Sequence, residues 1–166
     1  MRPGPVGMRR VIGGVLMRQY VKVAGRWVYL YRAIDQDGQV IDVLVSEKRD
    51  LAATRRFFTR ALTHGPHPVE VSTDRAPAYP RVLDELLPSA RHVVEHYANN
   101  PVETDHGRLK ARLRPMRGLK QFRSAAVISV GHAFIQNVRR GHYELATDID
   151  PHHRLATAFA ELALAV

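Results

Sequence analysis

Cysteine is absent from the 166 residues of this chain. Its absence excludes disulfide bonds and thiolate zinc sites and is typical of a reducing compartment, so we predict a cytoplasmic protein. No apolar run approaches the roughly 18 residues that a membrane-spanning helix needs, and we predict no membrane partner. The apolar stretch after Arg9 and Arg10 ends at Arg18 without a small-residue cleavage site, which argues against a secretion signal.

Carboxylates are missing from two long segments, residues 1–34 and residues 106–143. The second segment holds nine of the 25 lysines and arginines, which leaves 16 basic and 16 acidic residues in the rest of the chain. The whole net charge of +9 is therefore carried by that one segment. Because a solvated charge run normally mixes signs, the unmixed cations predict a polyanionic partner that presents phosphate groups.

The residues that are present, 45% hydrophobic and 25% charged, are typical of one globular domain. Turn signals and periodicity predict three antiparallel strands, then a helix, two more strands and a series of helices. Residues 1–16 are rich in Gly and Pro without periodicity and predict a loose tail. The predicted strands are 20–23, 27–34, 39–45, 69–74 and 91–95. The predicted helices are 51–62, about 80–87, a helix carrying Glu103 that Pro115 ends or kinks, 124–138 and 152–165.

Glu103 and Lys110 lie seven residues apart, which places them within roughly 20° of each other around a helix. A carboxylate beside a cation on one helical face is suited to enzymes that cut nucleic acid. Asn100 as N-cap, with Glu103 as a capping-box acid, explains the same spacing, and both interpretations stay open because they are compatible. The basic residues that we expect to contact DNA are Arg108, Lys110, Arg112, Arg114, Arg117 and Lys120.

The order of the predicted elements is that of the ribonuclease-H-like fold, an α/β architecture with a mixed five-stranded sheet flanked by helices. Within it, residues 17–145 resemble the catalytic domain of IS6-family insertion-sequence transposases, leaving 1–16 as a non-family tail and 146–166 as a C-terminal helix. The resemblance is carried by four runs: Tyr20-Val-Lys-Val-Ala-Gly-Arg-Trp27, Thr73-Asp-Arg-Ala-Pro-Ala-Tyr79, Asn99-Asn-Pro-Val-Glu-Thr-Asp-His-Gly-Arg-Leu-Lys110 and Arg114-Pro-Met-Arg-Gly-Leu-Lys120.

The resemblance implies a DDE transposase, in which three carboxylates bind two divalent metal ions, usually Mg²⁺, and catalyse DNA strand cleavage and strand transfer. It places Asp74 at the second carboxylate and Glu103 at the third, with Lys110 holding the DNA backbone. The implied partners are DNA, at insertion-sequence ends and at the target, and further copies of the chain or full-length transposase.

Two of these residues have plainer interpretations. Asp74 is suited to cap the following helix or to shape the turn ahead of Ala76. His106 falls near Leu109 and Leu113 around its helix, so we interpret it as a packed, hydrogen-bonded histidine rather than a metal ligand.

The first carboxylate of the family pattern is missing. Met17 and Arg18 stand where the resemblance implies an Asp-Glu pair, and the earliest carboxylate in the chain is Asp35. A thioether is a soft, neutral ligand that cannot bridge two magnesium ions. We therefore predict that this copy is impaired, with a catalytically inactive remnant that binds DNA or transposase as the alternative.

The family's helix-turn-helix ahead of the catalytic domain is not found in this sequence. The chain therefore resembles a truncated or frame-disrupted copy of such a transposase, or a copy whose start is mis-assigned. The sequence leaves these interpretations open.

Overall fold

The computed structural model describes residues 13–64, 67–94 and 100–166, with side chains described for 19–63, 67–94 and 104–166. The described chain begins with three strands, continues with alternating helices and strands, and ends in helices. The strands are β1 (Gly13–Val23), β2 (Arg26–Asp35), β3 (Val40–Ser46), β4 (Glu70–Thr73) and β5 (Arg91–Val94). The helices are α1 (Leu51–Ala61), α2 (Ala78–Leu86), α3 (Asn100–Leu113), α4 (Phe122–Arg140) and α5 (Pro151–Leu164), with a short 3₁₀ turn at Leu62–His64.

The five strands form one mixed sheet in the order β3-β2-β1-β4-β5. β1, β2 and β3 are antiparallel neighbours, whereas β4 and β5 run parallel to β1. The β1–β2 turn needs positive φ at two successive residues, and Ala24 and Gly25 adopt 48° and 80°. The β2–β3 turn is closed by Asp35, whose Oδ1 accepts hydrogen bonds from the backbone N–H groups of Asp37 and Gln39.

Helices cover both faces of the sheet. On one face, Leu109 and Leu113 of α3 and Ala125 and Ala133 of α4 pack on apolar residues of β1, β2 and β3. On the other face, α1 and α2 pack on Tyr31 and Val71 through an aromatic cluster. The aromatic members contributed by the helices are Phe57, Phe58 and Tyr79. α5 packs against α4 around Val138 and Ala158.

The predicted order of strands and helices agrees with the structure, and α3 ends at Leu113, before Pro115, as predicted. Leu109 and Leu113 are buried, which is the predicted orientation of this helix. The predicted tail is wrong at its end, because β1 begins at Gly13 and includes 13–16. Pairing with both β2 and β4 makes this segment a strand although its glycines give no periodic signal.

Glu95, the last residue of the predicted fifth strand, lies outside the described residues, as does the rest of the predicted tail. Among the described helices, none combines the length and the apolar character needed to cross a membrane.

Candidate functional site

The candidate site lies where the pairing of two parallel strands ends. In the β1–β4 register, Leu16 lies opposite Thr73, so Met17 and Asp74 follow at adjacent positions just past the last pair. β1 itself continues to Val23 beside β2. Asp74 is half-buried, and its Oδ1 accepts a hydrogen bond of 2.9 Å from the Ala76 backbone N–H. The backbone at Met17 is described, but its side chain lies outside the described residues.

The hydrogen bond to Ala76 decides between two of the interpretations of Asp74. The N-cap of α2 is Pro77, so Asp74 does not cap that helix. Asp74 does shape the turn, as an Asx-type bond to a backbone N–H two residues ahead. The bond engages only one carboxylate oxygen, so the turn is compatible with a further ligand at Asp74.

The Thr73 side chain supports this strand end from within the sheet. Its Oγ1 lies 2.7 Å from His92 Nε2 on β5 and 2.9 Å from the carbonyl oxygen of Asp74. Burial lowers the pKa of His92, and Asp84 partly opposes that shift.

Glu103 lies in the first turn of α3, but its side chain is outside the described residues. The distance between the Asp74 and Glu103 carboxylates therefore remains a prediction, and so does capping by Asn100.

A buried ion cluster ties α3 to the sheet and to α4. Asp105 is fully buried and forms an ion pair with Arg32 of β2, which is also fully buried. Arg140 Nη2 of α4 lies 3.2 Å from Asp105 Oδ1, and His132 Nε2 lies 3.6 Å from the same oxygen. Arg32 is opposite Met17 in the β1–β2 register, so the cluster lies beside the candidate site.

The charges in this cluster are strongly coupled. Burial raises the pKa of Asp105, but His132, Arg32 and Arg140 more than offset this and hold it below its usual value. Burial lowers the pKa of the Arg32 guanidinium, Asp105 opposes that shift and Arg140 adds to it. Within the described residues, Arg32 Nε and Nη2 have no hydrogen-bond partner. Removing the Asp105 charge would thus leave two guanidinium groups without their shared anion.

Sequence reasoning missed this cluster. Asp105 lies two residues after Glu103 in the motif, and Arg32 interrupts an otherwise apolar stretch of β2, Tyr29 to Ile34. A charge inside a buried strand is rarely unpaired, so Arg32 was the signal that could have predicted a buried partner.

His106 is packed, as predicted, with 8% of its surface exposed. Burial lowers the pKa of His106 to about 4, the cations Lys110 and Arg32 add to the shift, and the Tyr20 backbone and Asp105 oppose it. A histidine that stays neutral here anchors α3 without adding charge.

The predicted DNA-contacting residues lie on the surface of α3 and of the turn after it. Arg112 is half-buried, and the other five are exposed. The only carboxylate in residues 104–120 is Asp105, which is buried among cations, so no acid offsets these residues locally. The exposed members are Arg108, Lys110, Arg114, Arg117 and Lys120.

The basic turn between α3 and α4 is fixed against the β1–β2 hairpin. Arg117 and Gly118 adopt φ of 56° and 80°, and the Gly118 backbone N–H donates to the carbonyl oxygen of Leu113. Leu119 then bridges to Val23, and its carbonyl oxygen accepts a 2.8 Å hydrogen bond from the Ala24 backbone N–H. The cations of this turn are therefore held beside the hairpin.

Comparison with known proteins identifies the family. Residues 16–142 match the family model of the DDE domain of IS240-type transposases. The chain belongs to this family of DDE transposase domains. The transposase for insertion sequence-like element IS431mec of Staphylococcus aureus strain Mu50 is 33% identical over 98 residues, which are 56% of this chain and 44% of that protein.

A second Staphylococcus aureus relative, the transposase for insertion sequence element IS257 in transposon Tn4003, is also 33% identical over 98 residues, with the same 44% of its length covered. The matched part of the chain thus spans less than half the length of these curated relatives. The two relatives confirm the resemblance to IS6-family transposases.

Solved structures confirm the ribonuclease-H-like fold. The HTLV-2 integrase catalytic core domain, determined in complex with magnesium, matches with a TM-score of 0.54 at 20% identity, over 64% of this chain and 71% of that one. The catalytic core domain of BIV integrase matches with a TM-score of 0.55 at 13% identity, over 92% of this chain and 98% of that one.

The donor set expected at the candidate site lacks one hard ligand of a two-metal centre. Among the residues whose side chains are described, which leave out Glu103, no three His, Cys, Asp or Glu side chains come together in a way that could hold a metal ion. Asp74 and Glu103 are hard oxygen donors of the kind that Mg²⁺ prefers, but the position beside Asp74 holds Met17, a soft neutral donor.

Proposed function

We propose that this chain is a DNA-binding DDE transposase domain whose own strand cleavage and strand transfer are impaired by Met17. The carrying observation is the β1–β4 register, in which Met17 follows Leu16, the last residue of β1 that pairs with β4, as Asp74 follows Thr73, the last residue of β4. Two carboxylates at these adjacent positions would share metal ions, and a methionine at one of them removes that shared ligand.

Asp74 and Glu103 are the proposed catalytic and metal-binding residues that remain. The family chemistry depends on divalent metal ions, and Mg²⁺ is the ion that carboxylate oxygens suit. With the first carboxylate lost, we propose that metal binding in this chain is weakened or lost, and with it the alignment of the attacking and leaving oxygens.

DNA binding is the part of the function that we propose this chain retains. The exposed cations of α3 and the following turn have no local carboxylate to neutralise them, and phosphate contacts of this kind give affinity without sequence preference. Because the partner is DNA, the proposed location is the cytoplasm.

An inactive remnant is the second candidate function. The buried cluster around Asp105 retains its ion pairs although the first carboxylate is missing. This favours a chain that keeps its fold after its catalytic activity is lost. Such a remnant would bind DNA without cleaving it, or join further copies of the chain or full-length transposase.

Strand cleavage and strand transfer on DNA that carries the element's ends, with Mg²⁺ or Mn²⁺, test this proposal. We expect no turnover from the unaltered chain, because the shared ligand is missing. Met17→Asp with Arg18→Glu is expected to raise cleavage above that background. Asp74→Asn, which keeps an oxygen for the turn bond to Ala76, is the matched negative control. Turnover by the unaltered chain that disappears in Asp74→Asn would overturn the proposed impairment.

A further inference from the structure

An exposed aromatic ladder lies on the β1–β2 hairpin. Tyr20 of β1 and Trp27 of β2 are 42% and 61% exposed, unusually open for side chains of this size. Their ring centroids are 6.5 Å apart in an edge-to-face arrangement, and Tyr29 lies 5.4 Å from Tyr20 on the other side. Cross-strand aromatic pairs stabilise a hairpin, but that role does not require leaving most of an indole in water.

Lys22 contacts this ladder, and other cations lie at the hairpin end and on the turn bound to it. Lys22 Nζ lies 5.5 Å from the centroid of the Trp27 ring, and Arg26 is exposed at the hairpin end. The hydrogen bond between Ala24 and Leu119 brings the basic turn, with Arg117 and Lys120 exposed, against the same hairpin.

The two segments that meet here are 1–34 and 106–143, and neither contains a carboxylate. Their surface therefore complements a polyanion that also presents flat apolar faces.

We propose that Tyr20 and Trp27 form a stacking site for an unpaired base of single-stranded DNA. Base–aromatic stacking between phosphate-binding cations is the general arrangement by which proteins hold single strands, and each stacked base contributes substantially to affinity. Duplex DNA keeps its base faces stacked inside the helix, so it cannot use this site in the same way. The proposal deepens the proposed DNA-binding function and rests on it.

The ladder lies on the face of the sheet on which α1 and α2 pack, because Tyr29 packs against their aromatic cluster. Tyr20 is three residues beyond Met17 along β1, and successive strand residues alternate between faces, so positions 17 and 20 belong to opposite faces of the sheet. The ladder is therefore proposed as a DNA contact separate from the candidate site.

Trp27 is the only tryptophan in the chain, so intrinsic fluorescence reports on this site directly. We would titrate the unaltered protein with a 20-nucleotide oligo(dT), with a duplex of the same length and with an oligonucleotide of the same length made of abasic sites. Oligo(dT) is expected to quench Trp27, whereas the abasic strand, which keeps the phosphates but has no bases, is not.

Affinities of the variants are then measured by anisotropy of labelled DNA. Trp27→Ala is expected to weaken oligo(dT) binding about tenfold or more, while duplex and abasic binding change less than about twofold. Trp27→Phe, which keeps an aromatic rung, should restore most of the loss. Phe159→Ala removes a 48% exposed aromatic ring on α5 and is the matched control, with no expected effect.

Three results would overturn the stacking site: equal losses for oligo(dT) and duplex in Trp27→Ala, equal losses for oligo(dT) and the abasic strand, or no loss for any DNA. In each of these cases duplex binding by the unaltered chain still supports the proposed function. If the unaltered chain binds none of the three DNAs, both the stacking site and the proposed DNA-binding function are wrong.

Discussion

Asp105 ties α3 to the sheet and to α4 through buried ion pairs. Its carboxylate neutralises Arg32, which is fully buried on β2, and reaches Arg140 on α4. Two cations share one anion here, so the cluster has no spare carboxylate to replace it. The identity of residue 105 therefore determines whether the helix that carries Glu103 stays docked on the sheet.

We expect Asp105→Asn to lower the free energy of unfolding by about 3 kcal/mol, because breaking a buried ion pair leaves an uncompensated charge. Urea denaturation at neutral pH measures this. Glu85→Gln is the matched control, since Glu85 pairs with Arg55 at the surface, where water and salt screen an ion pair. Equal, small effects of the two substitutions would contradict the anchoring role of Asp105.

His106 makes the fold sensitive to mild acid. Its pKa in the folded chain is about 4, against about 6.5 when unfolded, so the unfolded chain binds more protons as the pH falls through that window. The stability associated with neutral His106 is complete above pH 6.5 and is lost progressively toward pH 4. The pKa of Asp105 is held below its usual value in the folded chain, so this carboxylate loses its contribution at lower pH than His106 does.

Between pH 7 and pH 5, His106 is expected to cost the folded state about 2 kcal/mol, from 1.36 kcal/mol for each pKa unit. In His106→Gln this part of the pH dependence should vanish, while His152→Gln, an exposed histidine on α5, should behave as the unaltered chain does. Urea denaturation at both pH values provides the comparison. The same loss of stability in His106→Gln as in the unaltered chain would refute this assignment.

The sequence could not show which residues pair in the ion cluster, because its members are distant in the chain. Arg32 and Asp105 are 73 positions apart, and Arg140 is 35 positions beyond Asp105. Periodicity predicts which face of a helix is buried, as it did for Leu109 and Leu113, but not which strand it meets. The burial of His106 was predictable from the same periodicity.

At the scale of elements, local signals predicted most of the architecture. The Ala24-Gly25 and Gly38 turns mark the hairpins, and Asp150 caps α5 by accepting a hydrogen bond from the His152 backbone N–H. The start of β1 was not predictable, because residues 13–16 become strand through pairing with β4, which lies more than 50 positions away.

The basic surface of α3 and its following turn should dominate DNA affinity. If five to seven cations contact phosphates, the logarithm of affinity should fall with the logarithm of salt concentration at a slope near −5, from about 0.9 for each neutralised phosphate. Changing Arg112, Arg114 and Arg117 together to Ala should reduce that slope by about 2 to 3. Filter binding to a duplex across a salt series measures both.

Three arginines on α1, a surface on which cations pair with acids, provide the control for the change in salt slope. Arg60 bonds Asp42 and Arg55 bonds Glu85, so their replacement by Ala together with Arg56 removes equal charge from another surface. An unchanged slope in the α3 variant, or an equal change in the α1 variant, would contradict the assignment of DNA contacts to α3 and its turn.

At the scale of the whole molecule, the fold brings two positions distant in sequence together, since Met17 and Asp74 are adjacent through the β1–β4 pairing. We predict that α3, which carries Glu103 and is tied to the sheet by the Asp105 cluster, brings the third position close to them. The family resemblance named these positions in the sequence, and the register explains why the loss of the first carboxylate concerns Asp74.

Mn²⁺ binding, measured by calorimetry, tests this account most directly. Met17→Asp should bind Mn²⁺ at least about tenfold more tightly than the unaltered chain, because a hard, charged ligand is added beside Asp74. Adding Asp74→Asn to that variant should remove the gain, since the two carboxylates act as one site. No gain in Met17→Asp, or a gain that survives Asp74→Asn, would contradict a DDE site in this chain with its first ligand missing.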